Sequence, residues 1–224
     1  FKGKFEWAID YYKSMAKKLN ITMKLGKEVT AQEVLALKPY SILVATGSNV
    51  ISIPLEGLDQ VQTVQAHDVL VNDMQFANKK VVVIGGGITG LETALYINRQ
   101  GTNQVSVVDM LPEWPVDMLD MRYQNEALLE VRHCNDQGVT LYYNNKVVKF
   151  ADGKLFIEST KDGEAKALPA DVIVLSVGVK PNDALWQELF ASGHPSVWKA
   201  GDAIATGKIN KAVLHGSKFG YSLN

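Results

Sequence analysis

The chain has 224 residues, 46% of them hydrophobic, with 23 Lys and Arg against 24 Asp and Glu and a formal charge of −1. It is long enough to bury one large core or two small ones, and too evenly charged to point to nucleic acid or an anionic membrane as a partner. A single cysteine, Cys134, excludes a disulfide framework within the chain, and without a signal peptide or a run of about 18 apolar residues the chain reads as soluble and cytoplasmic.

In chain order, Phe5, Ala8, Ile9, Tyr12, Met15, Ala16 and Leu19 stand at helical spacing and predict an amphipathic helix over residues 5–19. The chain opens on Phe1, without an initiator Met and almost directly in that helix, so a longer parent protein is expected. Residues 21–25 read as a short strand, 28–30 as a short extended piece, 31–37 as a turn of helix, and 41–45 as a buried strand that stops at Thr46-Gly47-Ser48. An irregular, proline-bearing stretch over 49–57 leads to a short helix over 64–70 and a polar connection over 72–79.

A strand over 81–84, a helix over 91–98 and a second strand over 104–108 follow. After Asp109 the loop Leu111-Pro-Glu-Trp-Pro115 precedes a helix over 122–137. Strands are predicted over 139–143, 146–150 and 154–159, with Lys161-Asp-Gly-Glu164 as a hairpin turn. Another buried strand, 171–177, is closed by Gly178; a last one, 197–200, runs into Gly201-Asp202 and a helix from about Lys211.

The segment Val81-Val-Val-Ile-Gly-Gly-Gly-Ile-Thr-Gly-Leu-Glu92 carries the most information. A β-branched strand enters Gly85-x-Gly87-x-x-Gly90 and a helix leaves it. In that pattern Gly85 permits the tight turn, Gly87 lets the backbone approach a pyrophosphate, and Gly90 allows close helix–strand packing. The helix start aims its N–H groups at the phosphates, so a dinucleotide would lie along Gly85, Gly86, Gly87, Ile88, Thr89 and Gly90. The plainer alternative is an ordinary βαβ turn. Asp109, ending the second strand, stands where a ribose diol should sit. Met110, Leu111, Pro112 and Glu113 follow it with no Arg or Lys before Arg122, which predicts NADH in preference to NADPH.

Two further strand ends, Leu43 to Gly47 and Leu175 to Gly178, stop on small residues and leave room for something to pass over them. Their plainer reading is a sheet edge with tight turns. Together with Gly201-Asp202 they complete an ordered set: Ala45-Thr46-Gly47-Ser48, the glycine loop, Val177-Gly178-Val179-Lys180-Pro181-Asn182, and Gly201-Asp202. In that order the chain resembles flavoproteins with two dinucleotide-binding domains, an NAD(P)H domain nested within an FAD domain. The segments Trp7-Ala-Ile-Asp-Tyr-Tyr, Gly-Leu-Glu-Thr-Ala and Ala-Val-Leu-His-Gly look most like the 2,4-dienoyl-CoA reductase and trimethylamine dehydrogenase group. The first motif of such proteins, an FAD glycine loop, is missing and would precede Phe1.

The resemblance implies an α/β fold: a Rossmann-like NAD(P)H domain over 78–178, with 1–77 and 179–224 as parts of an incomplete FAD domain. It implies that Asp202 hydrogen-bonds an FAD ribityl hydroxyl with Gly201 beside it. Ala45, Thr46 and Gly47 would pass near the adenosine side. Ala212 and Val213, opening the last helix, would face the flavin pyrimidine ring, and Glu92 would lie near the nicotinamide. Glu92 has a plainer reading as an acidic residue complementing the helix dipole. The implied activity is NADH-to-FAD hydride transfer, with electrons passed to an upstream flavin and iron–sulfur barrel that reduces an unsaturated substrate. A stand-alone ferredoxin-type reductase and a non-catalytic nucleotide-binding module stay open as alternatives. Cys134 has no partner cysteine and reads as a half-buried packing residue. His67, His133, His194 and His215 lack metal-ligand spacing, and His215 reads as a satisfied surface residue. Trp114 is read as loop packing.

Overall fold

The computed structural model describes residues 3–112 and 124–223. The chain begins with α1 (Lys4–Lys18), close to the predicted span, and then runs without strand pairing to Thr30. The strand expected at 21–25 is therefore absent, while Thr30 is extended, as expected of 28–30. Ile21, Met23 and Leu25 are exposed, and Ile21 N donates back to the Ala16 carbonyl of α1 at 2.9 Å. The extended backbone of Thr30 instead caps α2 (Ala31–Ala36). Its hydroxyl accepts from Glu33 N at 3.3 Å, while the Glu33 carboxylate accepts from Thr30 N at 3.0 Å. This reciprocal capping box stabilises a helix too short to persist alone.

Next come β1 (Ile42–Val44), β2 (Ser48–Val50), β3 (Gln62–Gln65), α3 (Ala66–Val71), β4 (Lys80–Ile84), α4 (Ile88–Asn98), β5 (Gln104–Val108), α5 (Gln124–Asp136) and β6 (Thr140–Tyr142). A meander of β7 (Asn145–Ala151), β8 (Lys154–Ser159) and β9 (Ala165–Pro169) leads to β10 (Val172–Leu175). The chain ends with β11 (Val179–Pro181), α6 (Ala184–Ala191), β12 (Val197–Lys199) and α7 (Ile209–Ser222).

The centre is a five-stranded sheet of order β3-β10-β4-β5-β6, parallel throughout. Strands β4 and β10 are near-continuous apolar runs because both faces are covered. Val81, Val83, Val107, Val172 and Val174 pack under α4 and α5 against Leu91, Ile97 and Cys134. Val82, Ile84, Val108, Ile173 and Leu175 point the other way, onto Phe150, Leu155 and Ile157 of the meander. The helix expected over 64–70 splits: Gln62–Gln65 is drawn out as a strand against Val172–Leu175, and the helix starts only at Ala66. Pairing with β10 outweighs local preference there, and it brings into the central sheet a strand that precedes residue 78.

Two small sheets flank this body. β2 and β11 pair antiparallel, and β1 pairs with β12 in parallel, Ile42 opposite Val197 and Val44 opposite Lys199. The second pair shares a small core of Ala31, Ile42, Val44 and Leu189 with α2 and α6. Strands β2, β9 and β11 and helix α6 have no counterpart in the sequence reading. Their short runs have little periodicity, and three of them exist through cross-strand partners.

Candidate functional site

β4 delivers the chain into the glycine loop at the carboxyl edge of the central sheet, where open α/β sheets gather ligands. Gly85 N donates to the Val108 carbonyl at 2.8 Å, and Ser176 N to the Ile84 carbonyl at 2.8 Å, which ties the loop to the ends of β5 and β10. Gly85 has φ +110, and a Cβ on it would run into the Ser176 carbonyl, so only glycine makes this turn. A Cβ on Gly90 would strike the Gly85 carbonyl; α4 starts that close to the loop. Gly87 differs, since its φ of −66 and ψ of 171 suit any residue. It lines the wall of a cleft of about 700 Å³. No side chain caps α4, so its first N–H groups and the positive end of its dipole are available to an anion. A pyrophosphate fits this cradle.

Asp109 closes the loop from the β5 side. One of its oxygens accepts from Gly86 N at 2.6 Å and the other from Leu111 N at 2.8 Å. A Cβ on Gly86 would crowd the Tyr143 ring at 3.0 Å and the Asp109 Cβ at 3.1 Å, so the bare glycine is what lets amide and carboxylate meet. A carboxylate offers about four lone-pair positions, which leaves acceptor capacity on Asp109 for ribose hydroxyls.

Gly85, Gly87, Ile88, Thr89, Asp109, Val177 and Gly178 all line this one cleft, which extends to Asp202. Gly86 and Gly90 are buried behind its wall. Glu92 is not on the wall. α4 begins at Ile88, so Glu92 falls in the second turn, half-buried, and not in the first turn as expected. Trp114, Glu113 and Arg122 lie outside the described residues.

A second cleft, about 370 Å³, brings together Ala45, Gly47, Gly201, Asp202 and Ala212. The ends of β1 and β12 are joined here. Asp202 accepts from the Ser48 hydroxyl at 3.3 Å and from Gly207 N at 3.0 Å, and it lines both clefts. Thr46 Oγ1 donates to the Asn182 carbonyl at 2.5 Å and Asn182 N returns a bond to the Gly47 carbonyl at 3.0 Å, so the Thr46 hydroxyl is committed to the backbone. Ala212 and Val213 do not open the last helix: α7 starts at Ile209, and Ala212 N already donates to the Lys208 carbonyl at 3.4 Å. Lys208, extended at φ −103, is the N-cap, so the open N–H groups belong to the residues just after it. Val213 is about half-exposed and lies off the wall of either cleft.

His215 is half-buried, its Nδ1 accepting from Gly201 N at 3.2 Å, which supports the Gly201-Asp202 turn. His67 stands beside Asp68 at 3.5 Å, His133 beside Glu130 at 3.7 Å, and His194 meets the Pro39 carbonyl at 3.0 Å. Among the described residues no group of three or more His, Cys, Asp or Glu is arranged to hold a metal ion, and no helix is long and apolar enough to cross a membrane. Cys134 is fully buried, not half-buried, in the core beneath α4. Burial pushes its thiol up to about 12, and the neighbouring Glu130 carboxylate adds to the shift. The sequence reading missed Ser48, Tyr143, Asn145, Lys146 and Lys208 around the clefts. Only Ser48 carried a signal, as the residue after Ala-Thr-Gly.

A glycine loop at the edge of a parallel sheet, an uncapped helix start and an acceptor at the next strand end define a dinucleotide-binding α/β protein. The chain belongs to the pyridine nucleotide-disulphide oxidoreductase family, whose pattern matches residues 10–214. It is 28% identical over 230 residues to an NADH oxidase of Thermoanaerobacter brockii, covering 99% of this chain and 34% of that protein. It is 31% identical over 186 residues to a bilirubin reductase of Mediterraneibacter gnavus, covering 81% of this chain and 27% of the relative. The solved complex of 2-naphthoyl-CoA reductase with 2-naphthoyl-CoA superimposes with a TM-score of 0.80 at 26% identity, covering 96% of this chain and 32% of that one. The chain thus spans about a third of the length of these relatives.

Proposed function

We propose that this chain is the NADH-binding reductase portion of an FAD-dependent oxidoreductase. The observation that carries the reading is the first cleft, which runs from the α4 start and Asp109 to Asp202, where the second cleft begins. The nicotinamide and flavin groups, when bound, supply hydride transfer; the protein positions them. The α4 amides and Gly87 receive the pyrophosphate, Asp109 accepts from the ribose diol, and Val177 and Gly178 leave room for the strand end to be crossed. Asp202, with Ser48 and Gly207 fixing its carboxylate, holds the junction with the flavin side, and Ala45, Gly47 and Gly201 line that side without bulk.

On this reading residues 78–178 form the NADH domain and 1–77 and 179–224 belong to the FAD domain, with β3 added to the edge of the inserted sheet beside β10. The electrons then pass to a flavin and iron–sulfur barrel elsewhere in the parent chain, which reduces an unsaturated, enoate- or dienoyl-CoA-like substrate in the cytoplasm. Relatives named for the reduction of bilirubin and naphthoyl-CoA support that substrate class.

Selectivity for NADH rests on Asp109. A hydrogen bond to a charged group contributes on the order of 1.5–3 kcal/mol, so the preference over NADPH should exceed about tenfold. Titration of both cofactors tests it. Asp109→Ala is expected to weaken NADH and erode the preference, since it also frees the Gly86 and Leu111 amides. Equal affinities, or tighter NADPH, would overturn the reading. In the full-length protein NADH should bleach the flavin in stopped flow, whereas a purely structural nucleotide module gives no bleaching.

A further inference from the structure

Asn145 N donates to the Asp109 carbonyl at 2.9 Å, which sets the start of β7 beside the acceptor for the ribose. The next residue, Lys146, lines the same cleft as Asp109, Met110 and Leu111. Its ammonium group is 2.8 Å from Glu158 Oε1, directly across the β7–β8 ladder. The other basic groups on this wall, among the described residues, are His67 on α3 and Lys208, which follows the Gly207 amide bonded to Asp202. A cation thus stands at the adenosine end of the cleft, and a carboxylate holds it.

We propose that Glu158 is a specificity-determining positioning residue, which keeps Lys146 from a phosphate on the adenosine ribose and so reinforces the selection of the 2′-hydroxyl by Asp109. The inference rests on the dinucleotide reading above and deepens it. An arriving 2′-phosphate meets the negative charge of Asp109 and, at the rim, a lysine whose charge Glu158 already offsets. Side chains in this pair are 50% and 39% exposed, the range in which an ion pair is worth at most about 1 kcal/mol. Such a pair is weak enough for a phosphate to capture the lysine once Glu158 loses its charge, because ammonium–phosphate contacts are charge-assisted.

The test uses the whole chain and its Glu158→Gln, Lys146→Met and doubly substituted variants at low salt. NADH is followed by its fluorescence, and NADPH is titrated as a competitor so that weak binding is read. Glu158→Gln, which keeps the side-chain shape, is expected to raise the NADPH-to-NADH affinity ratio about fivefold, the equivalent of about 1 kcal/mol. The gain should vanish in the double variant and shrink as salt is raised. An unchanged ratio in Glu158→Gln overturns the proposal, and so does a gain that survives in the double variant, because Lys146 is then not the group released. Failure of the underlying reading looks different: NADH does not bind the unmodified chain, or Asp109→Ala leaves its affinity unchanged.

Discussion

At the scale of single residues, the glycines of the loop serve different ends. Gly85 needs a left-handed backbone, Gly90 needs contact with the Gly85 carbonyl, and Gly87 has an ordinary backbone on the wall of the first cleft. Gly87→Val should therefore abolish NADH binding while the protein stays folded. Gly85→Ala and Gly90→Ala force a methyl onto backbone and should cost about 2–3 kcal/mol of stability. Thermal melts beside NADH titrations check this; a Gly87→Val protein that unfolds, or that binds normally, contradicts it. Cys134 makes a second prediction. Its folded thiol is held above the ordinary 9.0, to about 12, chiefly by burial. The folded state then keeps its proton when the unfolded chain loses it. That contribution to stability is complete below about pH 9 and is lost as pH rises toward 12. At pH 8 iodoacetamide should label Cys134 in urea far faster than in the native protein, and equal rates would show that the thiol is not sealed.

At the scale of elements, local codes and tertiary pairing divide the chain between them. α2 is a local product: Thr30 and Glu33 cap each other, and Lys27 Nζ lies 2.5 Å from Glu33. Removing the cap by Thr30→Ala should cost about 1 kcal/mol, felt in the small core of Ala31, Ile42, Val44 and Leu189. Hydrogen exchange should show faster opening of α2 and β1 with the central sheet unaffected; uniform loss of protection would mean that the two parts open as one. β3 is the opposite case. Its residues carry no strand pattern and are extended because β10 offers a free edge. The meander shows both influences. Leu155 and Ile157 alternate legibly along β8, while β9 is paired to β8 in a register that only the three-dimensional arrangement supplies.

At the scale of the molecule, one body is complete and the other open. The five-stranded sheet is covered on both faces, whereas α1 exposes Phe5, Trp7, Ile9, Tyr11 and Tyr12, and β1 and β12 form a sheet of two strands. The chain contains one glycine loop of the GxGxxG type, and it lies in the central sheet. On the proposed reading the second cleft holds part of a flavin dinucleotide. This chain, expressed alone, should purify with far less than one equivalent of FAD while binding NADH. A stoichiometric flavin spectrum would show that the Ala45, Gly47 and Asp202 side suffices.

The sequence by itself determined the central strands, the glycine loop and Asp109, because these depend on contiguous residues: a β-branched run, a turn that only glycine makes, a carboxylate at a strand end. The flanking motifs are also legible in the sequence, and Ala45, Gly47, Gly201 and Asp202 line one cleft. Only the tertiary structure decided that β3 joins the central sheet, that Asp109 is held by two amides, and that Lys146 meets Glu158 at the rim. The same holds for the helix starts at Ile88 and Ile209, three residues ahead of Leu91 and Ala212. Pairings across a sheet and the residue at which a helix begins depend on partners remote in sequence, and periodicity along the chain carries no record of them.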